Sequence, residues 1–125
     1  MDVVRGRWTP ADREELLNRL VPLEVPESAP ALTVTLTYDR SGGAVIDLGA
    51  WGPDGFRGWS GSDKEGFTIT PTEATPSYLP GPVAGEWRIL HGLHRVPADG
   101  IEWEMTIDLA PATVPPMPGP PPLRS

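Results

Sequence analysis

Hydrophobic and polar positions alternate with a period of two in two stretches of the chain. Leu32, Val34, Leu36 and Tyr38 alternate with Thr33, Thr35 and Thr37. Ile101, Trp103, Met105, Ile107 and Leu109 alternate with Glu102, Glu104, Thr106 and Asp108. Successive side chains of a strand point to opposite faces, so each stretch predicts a strand with one apolar and one wet face. A helix would scatter the same residues around its circumference. The pattern repeats less cleanly elsewhere. Residues 44 to 51 place Ile46 and Leu48 opposite Val45 and Asp47, and residues 86 to 93 place Trp87, Ile89, His91 and Leu93 opposite Arg88 and Leu90. Short strands are predicted over 56 to 60 and 67 to 70.

Breakers separate these segments. Asp39-Arg40-Ser41-Gly42-Gly43, Gly52-Pro53-Asp54-Gly55 and Pro97-Ala98-Asp99-Gly100 are turn sequences, with proline presetting φ and glycine supplying positive φ. Residues 71 to 85 carry four prolines and read as a long ordered crossover anchored by Tyr78, Leu79 and Val83. Near the start, Thr9 can cap a helix that opens with Pro10 and acidic residues. Leu16, Leu17 and Leu20 then give a helical stripe of three turns at most, stopped by Pro22 and Pro26. Between those prolines, Leu23-Glu24-Val25 reads as a short edge strand, where proline is tolerated.

Composition agrees: 17 prolines and 14 glycines among 125 residues punctuate short segments, which suits an all-β domain. The expected architecture is an antiparallel β-sandwich, jelly-roll or immunoglobulin-like, of about seven or eight strands with a short N-terminal helix. Residues 1 to 110 form that domain, and residues 111 to 125 form a proline-rich linker or tail. A net charge of −7 without a basic run argues against nucleic-acid and anionic-lipid partners. The start lacks the apolar core of a signal peptide, and no apolar run is long enough to span a bilayer. With no cysteine, disulfide and thiolate chemistry are excluded, and a cytoplasmic setting is expected.

Candidate chemistry is sparse. His91 and His94 stand three apart on a strand and so face opposite ways. Glu102 and Glu104 belong to a solvated sheet face. Asp47 sits mid-strand and could hold calcium together with Asp54 or Asp39, since hard cations want clustered oxygens, although no calcium-loop pattern is present. The glycine-rich Gly58-Trp59-Ser60-Gly61-Ser62 lacks a phosphate loop's Lys-Ser/Thr ending. Of five tryptophans, Trp87 and Trp103 fall in phase with apolar neighbours and belong to the core. Trp51 and Trp59 bracket the Pro53-Asp54-Gly55 turn; either they cover the end of the sandwich, the reading preferred here, or they stand exposed as sugar-stacking platforms with Asp47 and Asp54 nearby.

Leu32-Thr-Val-Thr-Leu-Thr-Tyr-Asp39, Ile46-Asp-Leu-Gly-Ala-Trp-Gly-Pro-Asp-Gly55 and Gly85-Glu-Trp-Arg-Ile-Leu90 resemble bacterial pre-peptidase C-terminal-type sandwiches. More closely, Arg57-Gly-Trp-Ser-Gly-Ser62, Ala74-Thr-Pro-Ser-Tyr-Leu-Pro-Gly81 and Gly85-Glu-Trp87 resemble the N-terminal domain of CehA/McbA-like metallohydrolases of the PHP superfamily. The likeness covers residues 5 to 110 and lies at turn and strand positions. It implies an accessory domain preceding a PHP barrel whose histidines and acids bind the metals that hydrolyse phosphoester or related bonds. The barrel's His-x-His motif does not occur in this sequence, so no metal ligand is carried over and no catalysis or cofactor is expected of this chain. Its expected roles are docking to the catalytic barrel that follows the linker, stability or homo-oligomer formation. The alternative is a stand-alone carbohydrate- or ligand-binding module using Trp51 and Trp59.

Overall fold

A computed structural model describes residues 2 to 114. Among these residues eight strands occur in chain order: β1 (Asp2–Trp8), β2 (Asn18–Val25), β3 (Leu32–Tyr38), β4 (Val45–Gly52), β5 (Gly55–Gly61), β6 (Gly66–Ile69), β7 (Gly85–Arg95) and β8 (Ile101–Asp108). One helix, α1 (Pro10–Glu15), lies between β1 and β2. The strands form two antiparallel sheets, ordered β1-β8-β3-β6 and β2-β7-β4-β5. Every pair whose numbers sum to nine is hydrogen-bonded: β1 with β8, β2 with β7, β3 with β6 and β4 with β5. The chain is therefore one long hairpin, bent at the β4–β5 turn and rolled into two layers. This is a jelly roll, an eight-stranded form of the expected sandwich.

The core lies between the layers. Leu32, Val34 and Leu36 of β3 and Ile101, Trp103, Met105 and Ile107 of β8 face Ile46, Leu48 and Ala50 of β4 and Trp87, Ile89 and Leu93 of β7, all buried. The alternation read in residues 31 to 38 and 101 to 109 fixes which side of each strand enters this layer.

Three expectations near the N-terminus and in the crossover change. Thr9 does cap α1, accepting from the Asp12 backbone N–H while the Asp12 carboxylate accepts from Thr9 N–H. The Thr9 backbone N–H first, and the Thr9 hydroxyl second, donate to the Asp12 carboxylate and hold it below its usual range. The helix nevertheless stops at Glu15, and Leu16, Leu17 and Leu20 are exposed rather than forming a packed stripe. Six residues of helix have little intrinsic stability, and the backbone after them gains a full strand's hydrogen bonds by pairing with β7. The expected edge strand over residues 23 to 25 thus extends back to Asn18, with Pro22 tolerated because β2 is an edge. In the crossover Tyr78 and Val83 are buried, but Leu79 is 57% exposed; its backbone N–H, donating to Arg57 O, does the anchoring. The proline-rich tail expected over 111 to 125 lies, from residue 115 onward, outside the described residues.

Two β-bulges interrupt the β4–β5 ladder, between Leu48 and Gly49 and between Ala50 and Trp51. Ala50 pairs with Gly58 and Trp51 with Phe56, which leaves Arg57 as the extra residue. Gly58 has φ of 151°, and a Cβ there would stand 2.5 Å from the Ser77 carbonyl oxygen and from the Tyr78 ring. Gly58→Ala is expected to destabilise the fold by about 2 kcal/mol or more, from backbone strain and this overlap together. Urea denaturation measures it, and an unchanged midpoint would contradict the geometry.

Candidate functional site

The outer face of the β2-β7-β4-β5 sheet carries two adjoining cross-strand rows. Register places Leu20, Leu90, Gly49 and Trp59 side by side in one row, and Pro22, Arg88, Trp51 and Phe56 in the next. Trp51, Phe56 and Trp59 are 45%, 48% and 51% exposed, and Leu20 is exposed beside them. Residues 56 and 59 would point to opposite sides of a regular strand. The bulge at Arg57 shifts the phase, so both aromatic rings share the outer face while Arg57 turns inward.

Glycine makes the floor. A Cβ at Gly49 would meet the Trp59 ring at 3.1 Å and Leu90 at 3.2 Å, so its absence lets these two side chains close over the sheet. Trp51 and Phe56 meet edge to face at 5.2 Å. An open groove of about 570 Å³ runs beside them, walled by Leu20 and Trp51, with Glu86 and Arg88 along it and the Pro53 turn at its end. Glu86 and Arg88 are 3.9 Å apart and exposed, so their attraction is worth little in stability, and they remain free to meet a ligand.

The residues singled out in the sequence are placed differently from one another. Trp51 and Trp59 do not cover the sandwich end, as preferred above; they lie on the sheet's outer face. Asp47 shares that face, one row beyond Leu90 and Gly49, paired in register with Gly92. Asp54 sits in the turn beyond the far end of β4 and faces Arg57 Nη1 at 3.4 Å. The length of β4 separates the two carboxylates, and Asp39, in the β3–β4 loop at the opposite end from Asp54, holds the Ser41 backbone N–H. Among the described residues, no group of three or more His, Asp or Glu side chains is placed to hold an ion. Phe56 is the member of the site that the sequence reading missed, because the bulge breaks the two-residue period that would have flagged it.

His91 and His94 part company as expected: His91 is buried and His94 exposed. His91 Nδ1 accepts a hydrogen bond from Trp8 Nε1 at 3.1 Å, so the neutral ring carries its proton on Nε2. The His91 ring meets Trp103 edge-on at 4.6 Å, and Trp103 stacks on Trp8. Burial pushes the His91 pKa down to about 4.

The segments that carry the metallohydrolase resemblance converge on one buried group. The Arg57 guanidinium, 4% exposed, lies 4.9 Å over the Trp87 ring and donates to the Leu79 and Pro82 carbonyls. Gly58 bridges Tyr78, and the Ser60 and Tyr78 hydroxyls share a 2.9 Å hydrogen bond. Those motifs hold the crossover on the sheet.

Comparison with protein-family models, with curated proteins and with solved structures returned no match. No helix among the described residues is long and apolar enough to cross a membrane.

Proposed function

We propose that the chain is a non-catalytic recognition domain whose working surface is the outer face of β2-β7-β4-β5, and that this face takes an extended, neutral carbohydrate chain. The observation that carries this is the placement of Trp51, Phe56 and Trp59 in adjoining rows over a glycine floor, each about half exposed. A single exposed apolar residue means little, whereas a contiguous apolar patch with a polar rim marks an interaction surface. Aromatic faces offer flat apolar ground with negative charge above the ring, complementary to the C–H faces of pyranose rings. Asp47, Glu86 and Arg88 at the margin supply acceptors and donors for sugar hydroxyls. Lectins are among the proteins built on jelly rolls, but a shared fold does not carry function, so the argument stands on the face itself.

Titrating tryptophan emission with soluble β-glucan, xylan and chitin oligosaccharides is expected to quench or shift the signal for at least one of them. Trp51→Ala and Trp59→Ala should each weaken that binding roughly tenfold or more, about 1.4 kcal/mol. Both side chains lie outside the core, so the urea midpoint should barely move. Silence across the panel removes the carbohydrate reading.

The domain's setting belongs to the same proposal: an accessory sandwich of a PHP-type metal-dependent hydrolase, acting in the cytoplasm beside the catalytic barrel. Its support is the resemblance, whose motifs meet at Arg57 and Trp87. A coding sequence that continues past Ser125 without a His-x-His motif would remove this setting and leave the binding face untouched.

A further inference from the structure

We propose that Asn18 and Asp47, converging over Gly92 beside the Trp59 ring, grip two hydroxyls on adjacent carbons of one sugar, so that the face selects glycans joined through the 4-hydroxyl. This rests on the reading of that face as a carbohydrate surface and names the class of chain it takes. Asn18 of β2 and Asp47 of β4 both pair in register with Gly92 of β7, so the three form one cross-strand row. A Cβ at Gly92 would stand 3.4 Å from Asn18 Oδ1 and 3.4 Å from Asp47 Oδ2. The two polar ends therefore lean over one vacant notch from opposite sides. Gly92 is buried, whereas Asn18 is exposed and Asp47 half-buried. Among the described residues neither side chain has an ion-pair or hydrogen-bond partner, so both are open to a ligand.

Trp59 supplies the apolar half of this subsite. Its Cδ1 lies 3.1 Å from where a Cβ of residue 49 would stand. Its Cη2, Cζ2 and Cζ3 lie 3.2, 3.4 and 3.6 Å from the same position at Gly61. Three neighbouring ring atoms at nearly equal distances mean that the face of the indole, not its edge, rests on Gly61. The ring is thus laid flat over two glycines, and its 51% exposure belongs to the opposite face. Gly61 pairs with Leu48, the residue after Asp47. The six-membered ring therefore ends about one strand spacing, roughly 5 Å, from the β4 backbone at the notch. A pyranose seated on that open face sets its C–H groups on the ring and its rim hydroxyls toward Asp47 and Asn18.

The notch selects an arrangement of hydroxyls. A carboxylate only accepts, and its two oxygens lie side by side, so it takes two hydroxyls best when they stand on adjacent carbons. Such charge-assisted bonds are roughly twice as strong as neutral ones. The Asn18 amide donates as well as accepts, and returns a hydrogen bond to one of the same hydroxyl oxygens. A sugar chain joined through its 4-hydroxyl leaves the 2- and 3-hydroxyls free on every internal residue. A chain joined through its 3-hydroxyl leaves no adjacent pair on its internal residues, and chitin carries an acetamide at position 2. The same carboxylate repels uronic acids, in keeping with a neutral ligand.

The test titrates the tryptophan emission of the full chain with xylotetraose, cellotetraose, laminaritetraose and chitotetraose. The first two, joined through the 4-hydroxyl with the 2-hydroxyl free, are expected to bind several-fold more tightly than the others. In Asp47→Asn and Asn18→Ala that preference should shrink several-fold, because the platform on Trp59 remains while the grip on the hydroxyl pair is lost. Both side chains lie outside the core, so the urea midpoint should barely move. Laminaritetraose or chitotetraose binding as tightly as xylotetraose overturns the proposal and leaves the carbohydrate reading standing. An undiminished preference in Asp47→Asn does the same. Binding of none of the four removes the carbohydrate reading, and this proposal with it.

Discussion

Arg57→Ala is expected to lower the unfolding free energy by about 3 kcal/mol or more, from two carbonyls stripped of their donor and the space left over Trp87. The side chain is 4% exposed and holds the crossover and the core through the Leu79 and Pro82 carbonyls and the Trp87 ring, with the exposed Asp54 of the β4–β5 turn at the rim. Truncation leaves two carbonyls with a lost donor, each costing about 1–3 kcal/mol if it stays dry, and opens a cavity over Trp87. A domain of ordinary stability has only about 5–15 kcal/mol in total, so the variant should melt close to working temperature. Two companions separate the causes. Arg57→Met fills the space without the donors and should recover part of the loss. Asp54→Ala should cost well under 1 kcal/mol, because an exposed carboxylate contributes little through a screened ion pair. Urea denaturation of all three decides the matter; an Asp54→Ala loss as large as that of Arg57→Ala would show that the ion pair, not the crossover clamp, holds the fold.

Arg57 also shows where sequence stops being informative. An arginine in a Gly-Phe-Arg-Gly-Trp run reads as a solvated residue, and only the bulge and the crossover that covers it, more than twenty residues later, make it a core group. Strands β3 and β8 were legible because both pack one face on the core, so burial imposes an unbroken period of two. The turn at Pro53-Asp54-Gly55, the Thr9 cap and the core positions of Trp87 and Trp103 were legible for local reasons, since their chemistry lies within a few residues. β1 was not: Gly6 occupies the inward position facing Trp103, where a Cβ would stand 2.4 Å from the ring, so the apolar alternation of Val4 and Trp8 has a gap at its centre. β2 was hidden behind a helical spacing of leucines whose strand partner, β7, lies some seventy residues away. For the candidate site, Trp51 and Trp59 could be named as aromatic and turn-flanking, but their common face with Phe56 comes from the bulge at Arg57, which the residue pattern does not announce.

Acid is expected to destabilise this protein well before its carboxylates are fully protonated, with His91 responsible. The unfolded chain takes up a proton on this ring near pH 6.5, whereas the folded protein refuses it until about pH 4. Between those values unfolding binds a proton, so stability is highest above pH 6.5 and falls as pH drops toward 4. A gap of that width corresponds to about 3 kcal/mol at 1.36 kcal/mol per unit. The cause is structural: His91 is walled by Trp8 and Trp103, its Nδ1 accepts from Trp8, and the Arg19 guanidinium sits 5.5 Å over the Trp8 ring, so a second positive charge there finds neither water nor a counter-ion in contact. Protonation would also turn Nδ1 into a donor and break the Trp8 hydrogen bond that ties β1 to β7. Asp12 and Asp39, both held below the usual carboxylate range by hydrogen bonds, lose their contributions only at lower pH. Unfolding free energies from urea titrations at pH 7.5, 5.5 and 4.5 should therefore slope downward for the natural sequence and lie nearly flat for His91→Leu, which is less stable at pH 7.5 but carries no group to protonate. A parallel slope in both proteins would place the acid sensitivity elsewhere and would remove the tryptophan–histidine cluster from the account of the fold's stability.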